Sequence, residues 1–261
     1  MKKTHTILIP GMLPMHFSLL QAALVSCGYK AEVLHNTGRE VIETGLKYVN
    51  NDICYPALLV IGQLINALES GKYDLEHTAL IITQTGGGCR ASNYIYLLRK
   101  ALEKAGLTHI PVISLNVNGL EQQPGFHLDA SMVHKFLAAV VYGDTLMYLT
   151  NKTRPYEVVH GAADRLAQKW LARLSEAFKS GKAQALGTIK QLTKAIAHEF
   201  ADLPITNKEK IKVGIVGEIY IKYAALGNNN LEAFLQRQNC EYMLPGLMNF
   251  IMYCVDTYLT D

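Results

Sequence analysis

The segment Thr78–Gln84, with the sequence Thr-Ala-Leu-Ile-Ile-Thr-Gln, constrains the fold of this chain more than any other feature. It lacks the alternation of a half-exposed strand, and such runs are typical of strands buried on both faces of a parallel sheet. Helical apolar spacing precedes it over Cys54–Ser70 and follows it over Ser92–Ala105. Further elements are predicted as strands at Thr6–Pro10, Lys30–Leu34 and Val112–Leu115 and as a helix at Phe17–Gly28. This rhythm predicts an α/β fold with a doubly wound parallel sheet of the Rossmann or flavodoxin-like type.

The remaining chain divides into a helical part and a second α/β part. Helices are predicted over Val133–Leu149, Tyr156–Lys179 and Gly187–Phe200, followed by strands at Lys210–Val216 and Tyr242–Leu244 around a helix at Leu231–Gln238. We therefore predict an α/β domain over residues 1–125, an all-helical middle segment over 126–205 and a second, short α/β unit over 206–261. Two strands are fewer than a complete unit usually has, which leaves open that the chain is an excerpt of a longer protein.

Composition excludes several classes of protein. Of the 261 residues, 49% are apolar and 18% are charged, and the net charge of +3 is spread without blocks of like charge. These values exclude a disordered chain and give no sign of an arm that binds nucleic acid. The apolar runs are too short to span a bilayer, and the basic start has too few apolar residues before Pro10 for a secretory signal. We expect a cytoplasmic protein without nucleic-acid or membrane partners.

The cysteines are the chemically informative residues. There are five, Cys27, Cys54, Cys89, Cys240 and Cys254, with no Cys-x-x-Cys pair. An odd number without close spacing argues against a disulfide framework, a zinc ribbon and a thioredoxin motif. For each cysteine the simple alternative is a buried, inert thiol.

Two of the cysteines open predicted helices that follow the carboxyl edge of the sheet, where sites of open α/β sheets gather. Cys54 follows Asn50-Asn51-Asp52, and Cys89 follows Gly86, Gly87 and Gly88. A helix N-terminus stabilises a thiolate, and glycines let the backbone approach a bulky inorganic ligand.

The other three cysteines are less well placed. A last helix is predicted from Gly246, and Cys254 lies about two turns into it. Cys254 is the preferred candidate for a third ligand, ahead of Cys240. We expect Cys27 and Cys240 to be buried thiols.

Other interpretations of the same loop stay open. The three glycines could cradle a phosphate, although they match neither the dinucleotide fingerprint nor a P-loop. Cys89 could be a nucleophile with His16 as its base, although no sequence feature brings these residues together. Arg90 and Glu218 are candidates for binding a cofactor by position only. Asn228–Asn230 are more simply explained as caps of the next helix.

Four segments carry a resemblance to a known family: Gly45–Leu58, Gln84–Tyr94, Val216–Tyr220 and Gly227–Glu232. They resemble the 2-hydroxyacyl-CoA dehydratase superfamily, and most of all the C-terminal dehydratase-like region of large acyl-CoA dehydratase activase-related proteins. The likeness runs over nearly the whole chain.

The resemblance implies a cytoplasmic iron–sulfur protein of anaerobic metabolism. Relatives hold a [4Fe–4S] or double-cubane cluster through cysteines, usually three per subunit, and receive low-potential electrons from an ATP-dependent activase or reductase module. Cys54 and Cys89 match the first two ligand positions, while Cys254, Cys240 or no cysteine takes the third. An acyl-CoA substrate and a homodimer are compatible with the resemblance.

Three functions follow as hypotheses. The first is an iron–sulfur redox component of a 2-hydroxyacyl-CoA dehydratase/activase-type reductase system, and, if it is an enzyme, a lyase or reductase component. The second is a non-catalytic regulatory or interaction domain of a larger activase protein with an incomplete or empty cluster site. The third is an α/β domain that binds a small molecule or phosphate and whose cysteines are incidental.

Overall fold

A computed structural model describes residues 1–50, 52–84, 90–116 and 125–260. Within these residues a four-stranded sheet is formed by β1 (Thr6–Ile9), β2 (Lys30–Val33), β3 (Thr78–Gln84) and β4 (Val112–Asn116). Its order is β2-β1-β3-β4, and all the pairings are parallel. The predicted α/β class with a parallel sheet is confirmed.

The central strands explain the apolar run of the sequence. Strand β3 lies between β1 and β4, with Leu80 opposite Leu8 and Ile81 opposite Ile113. Leu8, Leu80 and Ile113 have no exposed surface at all. Because an interior strand is covered on both faces, each of its side chains has to be compatible with the core.

The contacts within the chain divide it into two compact units. Residues 1–11 and 28–128 form unit 1, and residues 12–27 and 129–261 form unit 2. Helix α1 (Pro14–Ser26) therefore belongs to unit 2, although it stands between β1 and β2 in the sequence. The predicted division into domains at residues 125 and 205 stays a prediction.

Unit 1 contains α2 (Arg39–Tyr48), α3 (Tyr55–Glu69) and α4 (Tyr94–Lys104). Helix α2 was not expected from the sequence, since Gly38 gives its N-terminus no side-chain cap and Gly45 lies inside it. Packing against α3 stabilises α2 despite the low helix propensity of its sequence. A Cβ atom on Gly62 would overlap the carbonyl oxygen of Val41, so the backbones of the two helices are in direct contact.

Helices also build the core of unit 2. They are α5 (Ala130–Thr153), α6 (Ala162–Lys179) and α7 (Leu186–Ala201). Trp170, Tyr142 and Phe178 are fully buried there together with Leu19 of α1. The Tyr142 hydroxyl donates to the Ala183 carbonyl at 2.8 Å, which satisfies the one polar atom of that ring.

The C-terminal part of unit 2 is smaller than the helical core described above. Its elements are β5 (Lys212–Gly214), α8 (Ile219–Tyr223), α9 (Ala225–Asn228), α10 (Leu231–Arg237), β6 (Glu241–Met243) and α11 (Leu247–Thr260). Strands β5 and β6 pair in parallel, with Val213 opposite Tyr242. No helix in the described part of the chain is long and apolar enough to cross a membrane.

Candidate functional site

The carboxyl edge of the four-stranded sheet lies in unit 1. The connection from β1 leads to β2 on one side, whereas β3 leads to β4 on the other, so the strand order reverses between β1 and β3. Crevices at such a reversal are the usual ligand sites of open parallel sheets. Gly86, Gly87, Gly88 and Cys89 follow β3 in the sequence and lie outside the described residues.

Cys54 lies at the start of α3, as expected, but Cys54 itself is the N-cap residue, a role predicted for the segment 50–52, and helix amides do not bind its sulfur. An N-cap side chain normally accepts from the second or third N–H of the helix. The second residue is Pro56, which has no N–H, and the third, Ala57, donates to the Cys54 carbonyl at 3.1 Å. The sulfur is therefore left for another partner.

That partner is Tyr94. The Cys54 Sγ atom lies 3.1 Å from the Tyr94 hydroxyl oxygen, and either group can donate in this contact. Tyr94 is the first residue of α4 and follows a short 3₁₀ turn, Arg90–Asn93. In the sequence, Tyr94 comes five residues after Cys89, the second predicted ligand.

A buried amide fixes α3 against the loops at this edge. Gln63 is 2% exposed, and its Oε1 accepts from the Gly11 N–H at 2.9 Å after β1. Its Nε2 donates to the Asn36 carbonyl at 2.9 Å after β2, and Asn36 Nδ2 donates to Asn66 Oδ1 at 2.8 Å. Sequence reasoning did not assign these residues. The available signal was a pair of amides, Gln63 and Asn66, inside an otherwise apolar helix, since buried amides require partners.

Of the remaining predicted site residues, Arg90 begins the 3₁₀ turn before α4 in unit 1, whereas Cys254 and Glu218 lie in unit 2. Cys254 is a partly buried residue of α11, and burial raises the pKa of its thiol, which disfavours the thiolate form. Glu218 caps α8, because its carboxylate accepts from the Ile221 N–H at 2.9 Å. Their roles toward a cluster stay predictions.

Local structure accounts for several other polar residues. Asn228 Oδ1 accepts from the Leu231 N–H at 3.1 Å at the start of α10, in line with the capping interpretation. Cys240 is buried as expected. Cys27, in contrast, is only partly buried, and its Sγ lies 3.6 Å from Lys135 Nζ.

His16, which the alternative interpretation of Cys89 as a nucleophile would use as the base, is hydrogen-bonded to Asp144. Its side chain is fully buried, and its Nε2 lies 2.7 Å from Asp144 Oδ1. A carboxylate can only accept, so Nε2 donates. Asp144 also accepts the N–H groups of Leu247 at 2.7 Å and Met248 at 2.9 Å, at the start of α11. A fully buried, hydrogen-bonded imidazole is a structural group rather than an accessible base.

This arrangement makes a pH-dependent contribution to stability. Burial raises the pKa of Asp144, but the hydrogen bonds from His16 and from the Met248 and Leu247 amides outweigh it and hold the pKa below its ordinary value. A lowered pKa stabilises the fold at every pH above the unfolded-state pKa of about 4, and this stabilisation is lost as the pH falls through the folded-state value.

We therefore expect the urea midpoint of the wild type to fall more steeply than that of Asp144→Asn between about pH 5 and pH 2. The variant starts from a lower midpoint but has no carboxylate to protonate at this position. Urea titrations followed by circular dichroism at several pH values measure both curves. Parallel curves would show that Asp144 does not contribute to the pH dependence of stability in this range.

Two further features bear on ligand binding. A surface groove of about 580 Å³ is lined by Thr6, Lys30 and Thr78, the first residues of β1, β2 and β3, and so lies at the edge of the sheet opposite to Cys54. Its charges are partly compensated, because Lys72 pairs with Glu32 and His77 Nδ1 lies 2.7 Å from Asp74. Among the described residues no group of three or more His, Cys, Asp or Glu side chains is arranged to hold a metal ion.

Comparisons with known proteins do not extend this description. No protein-family model, no curated protein and no solved structure gave a significant match to the chain.

Proposed function

We propose that this chain is the iron–sulfur redox component of a cytoplasmic 2-hydroxyacyl-CoA dehydratase/activase-type, ATP-dependent reductase system. The observation that carries the proposal is the position of the Cys54 sulfur, 3.1 Å from the hydroxyl of Tyr94 at the start of α4. The sequence resemblance of the segments around Cys54 and Cys89 supports it. ATP-driven electron delivery, an acyl-CoA substrate and a homodimer are parts of the same proposal.

The strand order supports a flavodoxin-like, doubly wound fold, which is part of this proposal. The order 2-1-3-4 agrees with the first four strands of a flavodoxin-like, doubly wound sheet. In that fold the ligand crevice adjoins the segment after the third strand, which in this chain contains Gly86, Gly87, Gly88 and Cys89.

The donor chemistry of Cys54 fits a cluster ligand. Cys54 is a partly buried residue, and its sulfur is not used to cap α3 and has a hydroxyl within hydrogen-bond distance. Clusters are held by thiolates, and hydrogen bonds to the sulfurs are part of how proteins tune them. Cys89 is the proposed second ligand, and Cys254 is the first choice for a third. When bound, such a cluster supplies one-electron chemistry at low potential.

Iron analysis tests the proposal. After anaerobic reconstitution we expect about four irons and as many acid-labile sulfides per wild-type chain, with charge-transfer absorption in the visible spectrum. Cys54→Ser and Cys89→Ser should lose this iron, because each removes a thiolate ligand. Cys254→Ser decides whether the third ligand is in α11.

Cys27→Ser is the matched control, because Cys27 is a partly buried thiol like Cys54 and is not a candidate ligand. It should keep the wild-type iron content. Absence of iron from the wild type, or its retention by both Cys54→Ser and Cys89→Ser, would contradict the assignment.

A further inference from the structure

We propose that Tyr94 is a positioning residue for the Cys54 sulfur, and that its hydroxyl donates a hydrogen bond to this sulfur when it is a cluster ligand, which raises the reduction potential. The redox half of this inference rests on the proposed function. The positioning half rests only on the contact between the two side chains.

The local backbone explains why the sulfur depends on a distant residue. Pro56 has no N–H, and the Ala57 N–H is taken by the Cys54 carbonyl, so the first turn of α3 offers the side chain no capping bond. Within the described chain, Tyr94 is the hydrogen-bond partner of the Cys54 sulfur. The hydroxyl therefore selects the direction of the side chain.

Both sides of the contact are held by rigid elements. Tyr94 begins α4, which is anchored by Ile95 and Leu98, each with no exposed surface. Cys54 begins α3, which Gln63 ties to the loop after β1. A donor fixed in this way loses little entropy when it forms the bond, which is the condition for a preorganised site.

Ligation fixes the direction of the hydrogen bond. A free thiol can donate to the phenol oxygen or accept from it, but a sulfur that has lost its proton to bind iron can only accept. When an external low-potential reductant gives the cluster one electron, the added negative charge is shared with its sulfurs. The bond from Tyr94 strengthens with that charge and favours the reduced state, while the phenol keeps its proton.

Tyr94→Phe tests the redox half, because it removes the hydroxyl and keeps the ring. We expect unchanged iron content and a more negative midpoint potential in a redox titration followed by electron paramagnetic resonance. At the wild-type midpoint potential the ratio of reduced to oxidised cluster should fall about fivefold, the effect of one ordinary hydrogen bond. Tyr96→Phe is the control, since Tyr96 lies on the same helix and is 60% exposed. An unchanged potential in Tyr94→Phe with full iron loading overturns the redox half and leaves the proposed function intact.

A double-mutant cycle in the iron-free protein tests the positioning half. We expect Cys54→Ala and Tyr94→Phe each to lower the urea midpoint, and the double variant to lower it by less than the sum, because both remove the same contact. Additive shifts would overturn the positioning role. If the wild type binds no iron, the proposed function and the redox half fail together, while the cycle still decides the contact.

Discussion

Replacement of Asp144 by alanine is expected to lower the free energy of unfolding by roughly 4 kcal/mol, the cost of removing one partner from a buried ionic hydrogen-bond network. Three donors lose their acceptor in this variant: His16 Nε2, which is fully buried, and the N–H groups of Leu247 and Met248. The Nδ1 atom of His16 is already without a partner in the described chain, so both ring nitrogens would then be unsatisfied. Urea denaturation at neutral pH measures the loss.

Asp129→Ala is the matched control. Asp129 caps α5 with a single bond, in which its Oδ1 accepts from the Met132 N–H at 2.8 Å, and it is exposed. Loss of such a cap costs about 1 kcal/mol. Equal destabilisation by Asp129→Ala and Asp144→Ala would mean that the link to His16 contributes nothing beyond capping.

The second large effect is expected for Gly62→Ala, which should lower the free energy of unfolding by about 3 kcal/mol through overpacking. The new Cβ atom would overlap the Val41 carbonyl oxygen and lie 2.9 Å from the Gly45 nitrogen. Both are backbone atoms and cannot rotate away, so α2 and α3 would have to separate. Urea denaturation followed by circular dichroism measures this change.

Gly187→Ala is the control, because it makes the same substitution in a helix at a position with open space, and we expect it to stabilise the fold. Gly187 is the second residue of α7, and a Cβ atom there meets nothing within 4 Å. Alanine restricts the unfolded chain more than glycine does, so we expect a gain of about 0.5 kcal/mol. A comparable gain in both variants would show that helix propensity, and not the contact between α2 and α3, governs Gly62.

Much of the fold could be predicted because burial leaves a simple pattern. Thr78–Gln84 is a strand with the predicted bounds, and the apolar run in it reflects the burial of its first five residues. Strand Lys210–Val216 is shorter than predicted, and only Lys212–Gly214 pairs with β6. Helix α2 was not predicted, because Gly38 and Gly45 lower its helix propensity and only the tertiary contact with α3 compensates for them.

The candidate site was predictable only in part. The position of Cys54 at a helix start follows from local sequence, because Asn50, Asp52 and Pro56 are typical of a helix start. Its partner Tyr94 belongs to another helix, and no local pattern indicates a contact between side chains that are distant in sequence. The same holds for His16 and Asp144, which meet across α1 and α5.

The assignment of α1 to unit 2 has a consequence for synthesis of the chain on the ribosome. Helix α1 ends at Ser26, and α5, against which it packs, begins at Ala130, which is 104 residues later (130 − 26). At bacterial and eukaryotic translation speeds this separation corresponds to about 5 to 20 s. During that interval Leu19 and Ala23 have none of their final partners on α5, although β1 and β2 on either side have already been made. The apolar side chains of α1 are therefore made well before the α5 residues that cover them in the folded protein.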